Sequence, residues 1–191
     1  MESLSVAELL YFCFIIFISY AIRGSSGFGG VTVPLLTWIL SLKTVAPLVT
    51  FLGLISSAAI LRSDWRHVAW KDLRRILPAT AAGVAIGAYF FKVLDAITLA
   101  RLLGGVVLAY GCYALLATWR PQRSKRLPMS IITPVAGTIA GFVGTLFGSM
   151  AGMFYAMYLD MLRHGRDVFR ATAAAALFAL GVLRGGAYVI T

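Results

Sequence analysis

Apolar residues in this chain come in blocks rather than in stripes. Largely uncharged runs cover Val6–Ile22, interrupted by Glu8, then Thr44–Leu61, Ile76–Phe91, Ile97–Thr118, interrupted by Arg101, and Ser130–Leu159 and Ala171–Leu183. About 20 apolar residues cross the hydrocarbon core of a bilayer, and roughly 17 can suffice. A surface helix of a soluble protein keeps a polar face along its length, and these runs have none. Backbone groups in lipid must be satisfied within their own segment, so each run is expected to be a helix. The pattern predicts an all-α fold, a polytopic transmembrane helix bundle.

Two stretches break the pattern. Val6–Leu42 is too long for one straight span, and Gly24-Ser25-Ser26-Gly27-Phe28-Gly29-Gly30 interrupts it, with Pro34 just beyond. Glycine costs a helix about 1 kcal/mol and proline about 3, so the helix should open there. Ser149-Met150-Ala151-Gly152 repeats the order of Gly27-Phe28-Gly29-Gly30: small, large, small, glycine. At the same offset Thr50 falls on Thr172 and Arg62 on Arg184. These coincidences predict an internal repeat, with residues 1–118 as a first repeat, 119–129 as a basic cytoplasmic loop and 130–191 as a second, incomplete repeat. Glycine-broken segments at matching places in two halves point to a transporter binding site. Other glycines at small-xxx-small spacing, Gly137, Gly141, Gly144, Gly148 and Gly152, with Gly83/Gly87 and Gly181/Gly185, read mainly as helix packing.

Composition agrees, with 60% hydrophobic and 13% charged residues, against about 45–50% and 25% in soluble domains. The net charge of +10 would suggest nucleic acid if it were spread over a surface, but it is not. Arg62, Arg66, Lys71, Arg74 and Arg75 fall between two apolar runs, and Arg120, Arg123, Lys125 and Arg126 between two others. Basic loops stay on the cytoplasmic side, so both loops are expected inside a cytoplasmic (inner) membrane crossed several times, with no nucleic-acid partner. Met1–Glu8 carries two Glu and no Lys or Arg, unlike the basic start of a cleaved signal. The N-terminus is then expected outside. An inverted relation between the halves would put Arg163, Arg166 and Arg170 inside as well. Cys13 and Cys112 lie within apolar runs and read as packing residues. His67 and His164 have no ligand spacing, so neither metal nor cofactor is expected.

The seven acidic residues, Glu2, Glu8, Asp64, Asp72, Asp95, Asp160 and Asp167, avoid the depths of the spans. Buried carboxylates usually mark proton or cation pathways. Arg23 and Arg184, by contrast, abut or lie within apolar runs. Each either snorkels to the interface or meets an anion. A half-helix that starts after a break presents unpaired N–H groups and the positive end of its dipole, which also favours an anion.

The stretch Gly24–Leu36, GSSGFGGVTVPLL, resembles the opening motif of the sulfite exporter TauE/SafE family of membrane permeases. So do the Trp-containing basic loop with Trp65, His67 and Trp70 and the segment LPATAAGVAIGA at Leu77–Ala88. The repeated motif is similar to Gly141-Phe142-Val143-Gly144 onward, followed by Phe169-Arg170-Ala171-Thr172-Ala173. The likeness runs across nearly the whole chain. It departs from the family's Gly-x-Gly-Gly-Pro pattern where Met150, Ala151 and Gly152 stand. The family also resembles a duplicated four-span unit. The chain then reads either as a fragment or as a shortened relative that completes its bundle as a homodimer.

The resemblance implies export of a small sulfur-containing anion such as sulfite or an organosulfonate, with no enzymatic activity. The residues expected to hold it are Gly27, Phe28, Gly29 and Gly30 with Ser149, Met150, Ala151 and Gly152, whose backbone N–H groups would meet near the midplane. Thr50 and Thr172 would add hydroxyls, and Arg184 and Arg23 would add charge. Rocking of one half against the other would give alternating access. Two other readings stay open: a non-transporting scaffold or assembly subunit, and a passive anion channel. Ser25 and Ser26 have no neighbouring base, and the Gly-Lys-Ser/Thr ending of a P-loop is absent.

Overall fold

A computed structural model describes residues 6–26, 32–38, 40–119, 129–148 and 150–190. These form α1 (Val6–Ser26), α2 (Thr32–Leu36), α3 (Leu42–Asp64), α4 (Trp70–Val93), α5 (Ala96–Trp119), α6 (Met129–Phe147), α7 (Ala151–Met161) and α8 (Arg166–Ile190), with a 3-10 turn at Trp65–His67. Among the described residues there is no strand. Leu42–His67, Trp70–Val93 and Arg166–Val189 are long and apolar enough to cross a membrane, and Leu10–Ala21, Ala96–Ala109 and Ile131–Phe147 are shorter apolar helices. The run Ser130–Leu159, read above as one apolar block, is two helices, α6 and α7. The motif Gly27–Gly30 and Ser149 lie outside the described residues, as does most of the loop 119–129.

Small residues set the closest packing. α4 and α6 run parallel, with Ile76 beside Gly137, Thr80 beside Gly141 and Gly87 beside Phe142 and Thr145. A Cβ on Gly83 would stand 2.2 Å from the Thr138 carbonyl oxygen, and one on Gly141 would stand 2.2 Å from that of Thr80. Only hydrogen at these positions lets the two backbones touch, the geometry small-xxx-small spacing permits. α3 and α8 run antiparallel. Gly181 accepts the Leu54 side chain at one level, and Asp64 meets Arg170 further along. Shifting α1 by the offset that relates Thr50 to Thr172 lays it on α6 to within one residue at either end, and the same shift lays α3 over most of α8.

Two apolar clusters result. One, around Ile76, Ala140, Tyr155, Ala173 and Leu180, joins α4, α6, α7 and α8. The other, around Leu36, Val45, Leu99, Leu146 and Phe147, joins α2, α3, α5 and α6. Large apolar side chains also cover the outside, among them Phe17 on α1, Ile55 on α3, Tyr89 on α4 and Leu108 on α5. That surface suits hydrocarbon and not water. Cys13 and Cys112, suggested as packing residues by their runs, are instead exposed free thiols. They sit on outward helix faces, which sequence position within an apolar run does not distinguish from inward ones.

Most of the described charged residues gather at one end of the bundle. Arg170 Nε and Nη2 both donate to Asp64 Oδ2, at 3.0 and 2.6 Å. His164 Nε2 lies 3.0 Å from Asp72 Oδ2. The Ala69 backbone N–H donates to Thr172 Oγ1 at 2.9 Å. These contacts tie the α3–α4 connection to the α7–α8 connection. Exposed Arg62, Arg66, Lys71, Arg74 and Arg75 therefore share an end with Arg163, Arg166 and Arg170.

Candidate anion site at the α6–α7 turn

α6 ends because Gly148 adopts φ +80°, a left-handed conformation that glycine takes without a Cβ penalty. Its N–H donates to the Gly144 carbonyl at 2.9 Å, closing the helix. A Cβ at Gly148 would lie 2.8 Å from Ala46 Cα, so the turn is seated on the first turns of α3. A Cβ at Gly144 would meet both the Ala151 Cβ at 2.8 Å and Leu180 Cδ2 at 2.9 Å. The end of α6, the start of α7, the start of α3 and the later part of α8 thus converge on one spot.

Arg184 occupies that spot. It is 5% exposed, and its Nη1 donates to the Gly144 carbonyl at 2.8 Å. The guanidinium stands at the carbonyl end of α6, where a helix dipole favours a cation. Through Gly144 it also neighbours the first residue of α7, Ala151, where the α7 dipole favours an anion. Met150, at the N-cap of α7, makes no side-chain cap bond. Snorkelling, one of the two readings open for Arg184, does not describe a side chain buried to this degree.

Hydroxyls surround the arginine. Tyr155 and Tyr188 are both close enough to Arg184 to interact electrostatically. The Tyr155 hydroxyl shares a hydrogen bond with Thr80 Oγ1 at 3.1 Å. The Tyr188 hydroxyl donates to the Thr145 carbonyl and interacts with Thr50. Thr50 is fully buried and donates to the Ala46 carbonyl at 2.7 Å. Tyr155, Tyr188 and Thr80 did not emerge from the sequence. The available signal was a tyrosine inside or beside an apolar run, because a buried phenol needs a partner for its hydroxyl.

The structure brings together Thr50, Met150, Ala151, Gly152 and Arg184, all buried, around the α6–α7 turn. It does not bring Thr172 to them. Thr172 is engaged by Ala69 at the basic end. Twelve residues separate Thr172 from Arg184 on α8, about 18 Å of helix at 1.5 Å per residue. Arg184 likewise stands about 21 Å along the axis from Arg170. The junction therefore lies toward the end of the bundle opposite the basic loops. Arg23 falls in α1, but its side chain, like Gly27, Phe28, Gly29, Gly30 and Ser149, lies outside the described residues.

A bundle of apolar helices with a buried arginine and hydroxyls at a helix break has the build of a membrane permease. The family model described as sulfite exporter TauE/SafE matches residues 11–191, and the chain belongs to that family. Membership places it among membrane permeases of the anion-exporting kind. No curated protein and no solved structure matches the chain.

Proposed function

We propose that the chain carries a small oxyanion, sulfite or an organosulfonate, across the cytoplasmic membrane by alternating access, and that Arg184 holds the anion at the start of α7. The buried guanidinium near the N-terminus of α7, where Met150 makes no side-chain cap bond, carries this reading. Two sources of positive potential in a water-poor site attract a monoanion more strongly than either would in water. Tyr155 and Tyr188 then supply hydroxyls that can turn from their present partners to the oxygens of a sulfite or sulfonate group. A monatomic, spherical anion such as chloride would use the charge but not this directional set. Met150, Ala151 and Gly152 contribute backbone N–H groups, Thr50 a hydroxyl. The glycine-rich stretch Gly27–Gly30, Arg23, Ser149 and Thr172 belong to the same pathway, Thr172 at its cytoplasmic mouth.

The basic end faces the cytoplasm in this reading, as Lys- and Arg-rich connections prefer. The antiparallel pairing of α3 with α8, whose sequences correspond at the common offset, supports an inverted repeat. An anion arriving from the cytoplasm passes between the α3–α4 and α7–α8 connections, so the Asp64–Arg170 and Asp72–His164 contacts must part to admit it. Rocking of the α6–α7–α8 unit on the rest supplies that opening.

The deciding experiment is flux into proteoliposomes holding the purified chain, with sulfite, an organosulfonate, sulfate and chloride compared. Saturable sulfite or organosulfonate flux is expected. Arg184→Gln should reduce it about tenfold, the effect of losing one charge-assisted contact, while the protein still elutes as one monodisperse peak. Wild-type flux in folded Arg184→Gln would remove Arg184 from the site. Flux without saturation would make the chain a channel, and no flux of any anion would make it a scaffold or a fragment lacking further spans.

A further inference from the structure

At the end of the bundle opposite the basic loops, the turn between α2 and α3 faces the first turns of α5 across an open groove of about 500 Å³. That volume falls within the ~300–1,000 Å³ typical of small-molecule sites. Leu40, Leu42, Ile97 and Ala100 line it, and its polar members are Arg101 on one side and Ser41 and Thr37 on the other, the Thr37 hydroxyl donating to the Pro34 carbonyl at 2.8 Å. Arg101 is exposed and lies five residues into α5, about 7 Å along the axis from its first residue. The carboxylate nearest in sequence, Asp95, accepts the backbone N–H groups of Ile97 and Thr98 and the Thr98 hydroxyl, which holds it on the N-terminus of α5. Trp38, next to the groove in sequence, is 89% exposed. A tryptophan so placed marks the headgroup level of a bilayer.

We propose that this groove binds the phosphate headgroup of a glycerophospholipid in the adjoining leaflet. Arg101 pairs with the phosphate, and the Ser41 hydroxyl, now shared with Thr44 at 2.9 Å, donates a second bond. Leu40, Leu42, Ile97 and Ala100 take the first methylenes of the acyl chains. The apolar walls decide between a lipid and a free anion. A small hydrated anion gains nothing from leucine and isoleucine, whereas a phospholipid presents charge and hydrocarbon together at the spacing of one arginine above an apolar wall. The site is separate from Arg184 and does not depend on what the permease carries.

The test is native mass spectrometry of the full chain purified in detergent. The probes are phosphatidylglycerol, a phosphate-free glycolipid with the same acyl chains, and inorganic phosphate. The wild type is expected to retain one phosphatidylglycerol more than Arg101→Gln does, with about fivefold weaker retention in the variant, the effect of one interfacial charge at about 1 kcal/mol. The glycolipid should not be retained, and inorganic phosphate at equal concentration should not displace the lipid. Ala100→Trp, which fills the groove and leaves Arg101 in place, should lower retention as well, and Arg62→Gln at the opposite end should not. Equal retention by wild type, Arg101→Gln and Ala100→Trp would overturn the proposal. Displacement by inorganic phosphate would reassign the groove to a free anion, and groove-dependent dimers in the same spectra would reassign it to a second copy of the chain.

Discussion

Replacing Gly83 or Gly141 by alanine tests how closely α4 and α6 pack. Each new Cβ would begin 2.2 Å from a carbonyl oxygen, and real Cβ atoms essentially never approach within 3.0 Å of a neighbour. The obstructing atoms are backbone, so no rotamer change relieves the contact, and the helices must part by about 1 Å. A gap of that size forfeits roughly a quarter to a half of each affected dispersion contact, and overpacking of this kind costs about 1–3 kcal/mol. The upper end applies here, because the strain spreads along a whole helix pair. Alanine returns up to ~1 kcal/mol through its helix propensity, which leaves a net loss of about 2 kcal/mol. For a chain of this length that corresponds to a drop of roughly 4–8 °C in melting temperature. Thermal scanning of the detergent-solubilised protein, followed by size exclusion, reads it. Gly105→Ala is the control, since nothing lies within 4 Å of its would-be Cβ, and it should melt at or slightly above the wild type. If Gly141→Ala melts with Gly105→Ala, the close α4–α6 contact does not exist.

Three further outcomes follow from other contacts. Gly148→Ala combines a φ of +80° with a Cβ 2.8 Å from Ala46 Cα, so it should cost at least about 2 kcal/mol and lower the yield of monodisperse protein, which expression with fluorescence-detected chromatography measures. A double-mutant cycle on Asp64→Asn and Arg170→Gln should give a coupling of about 1 kcal/mol that shrinks in high salt, because the pair is two-pronged yet partly exposed; zero coupling in low salt would separate the two connections. The hydrogen bond from the Thr98 side chain, with that from its backbone, lowers the Asp95 pKa below its ordinary 3.8. A depressed carboxyl stabilises the fold above its unfolded pKa and loses that contribution as pH falls through the folded value. The melting-temperature gap between wild type and Asp95→Asn should therefore be full at neutral pH and close below pH 3.8, and a gap independent of pH would refute the assignment.

Much of this architecture is legible in the sequence because a bilayer leaves little choice. A segment such as Thr44–Leu61 has to become a helix, and a loop holding Arg62 to Arg75 has to remain at one side. Glycine spacing foretells tight pairing at Gly83 and Gly141 for the same reason, since small residues have few other uses within a span. The site is legible only in part. Arg184 stands out as a cation in an apolar run, whereas Tyr155 and Thr80 do not, because their meeting joins α7 to α4 across 75 residues of sequence. Thr172 illustrates the opposite failure. Its correspondence with Thr50 suggests a shared site, but its partner, the Ala69 N–H, lies 103 residues away at the other end of the bundle.

That separation follows from the direction of the helices rather than from any accident of packing. Thr50 and Thr172 each fall in the early turns of their helices, α3 and α8. If those helices ran parallel, equivalent threonines would stand at one level and could flank a single ligand. They run antiparallel, with Asp64 beside Arg170 and Leu54 against Gly181, so equivalent residues must lie at opposite ends. Antiparallel helices with these threonines in their early turns cannot bring both to one ligand. The two threonines therefore stand at two levels of the bundle, Thr50 near Arg184 and Thr172 at the basic end.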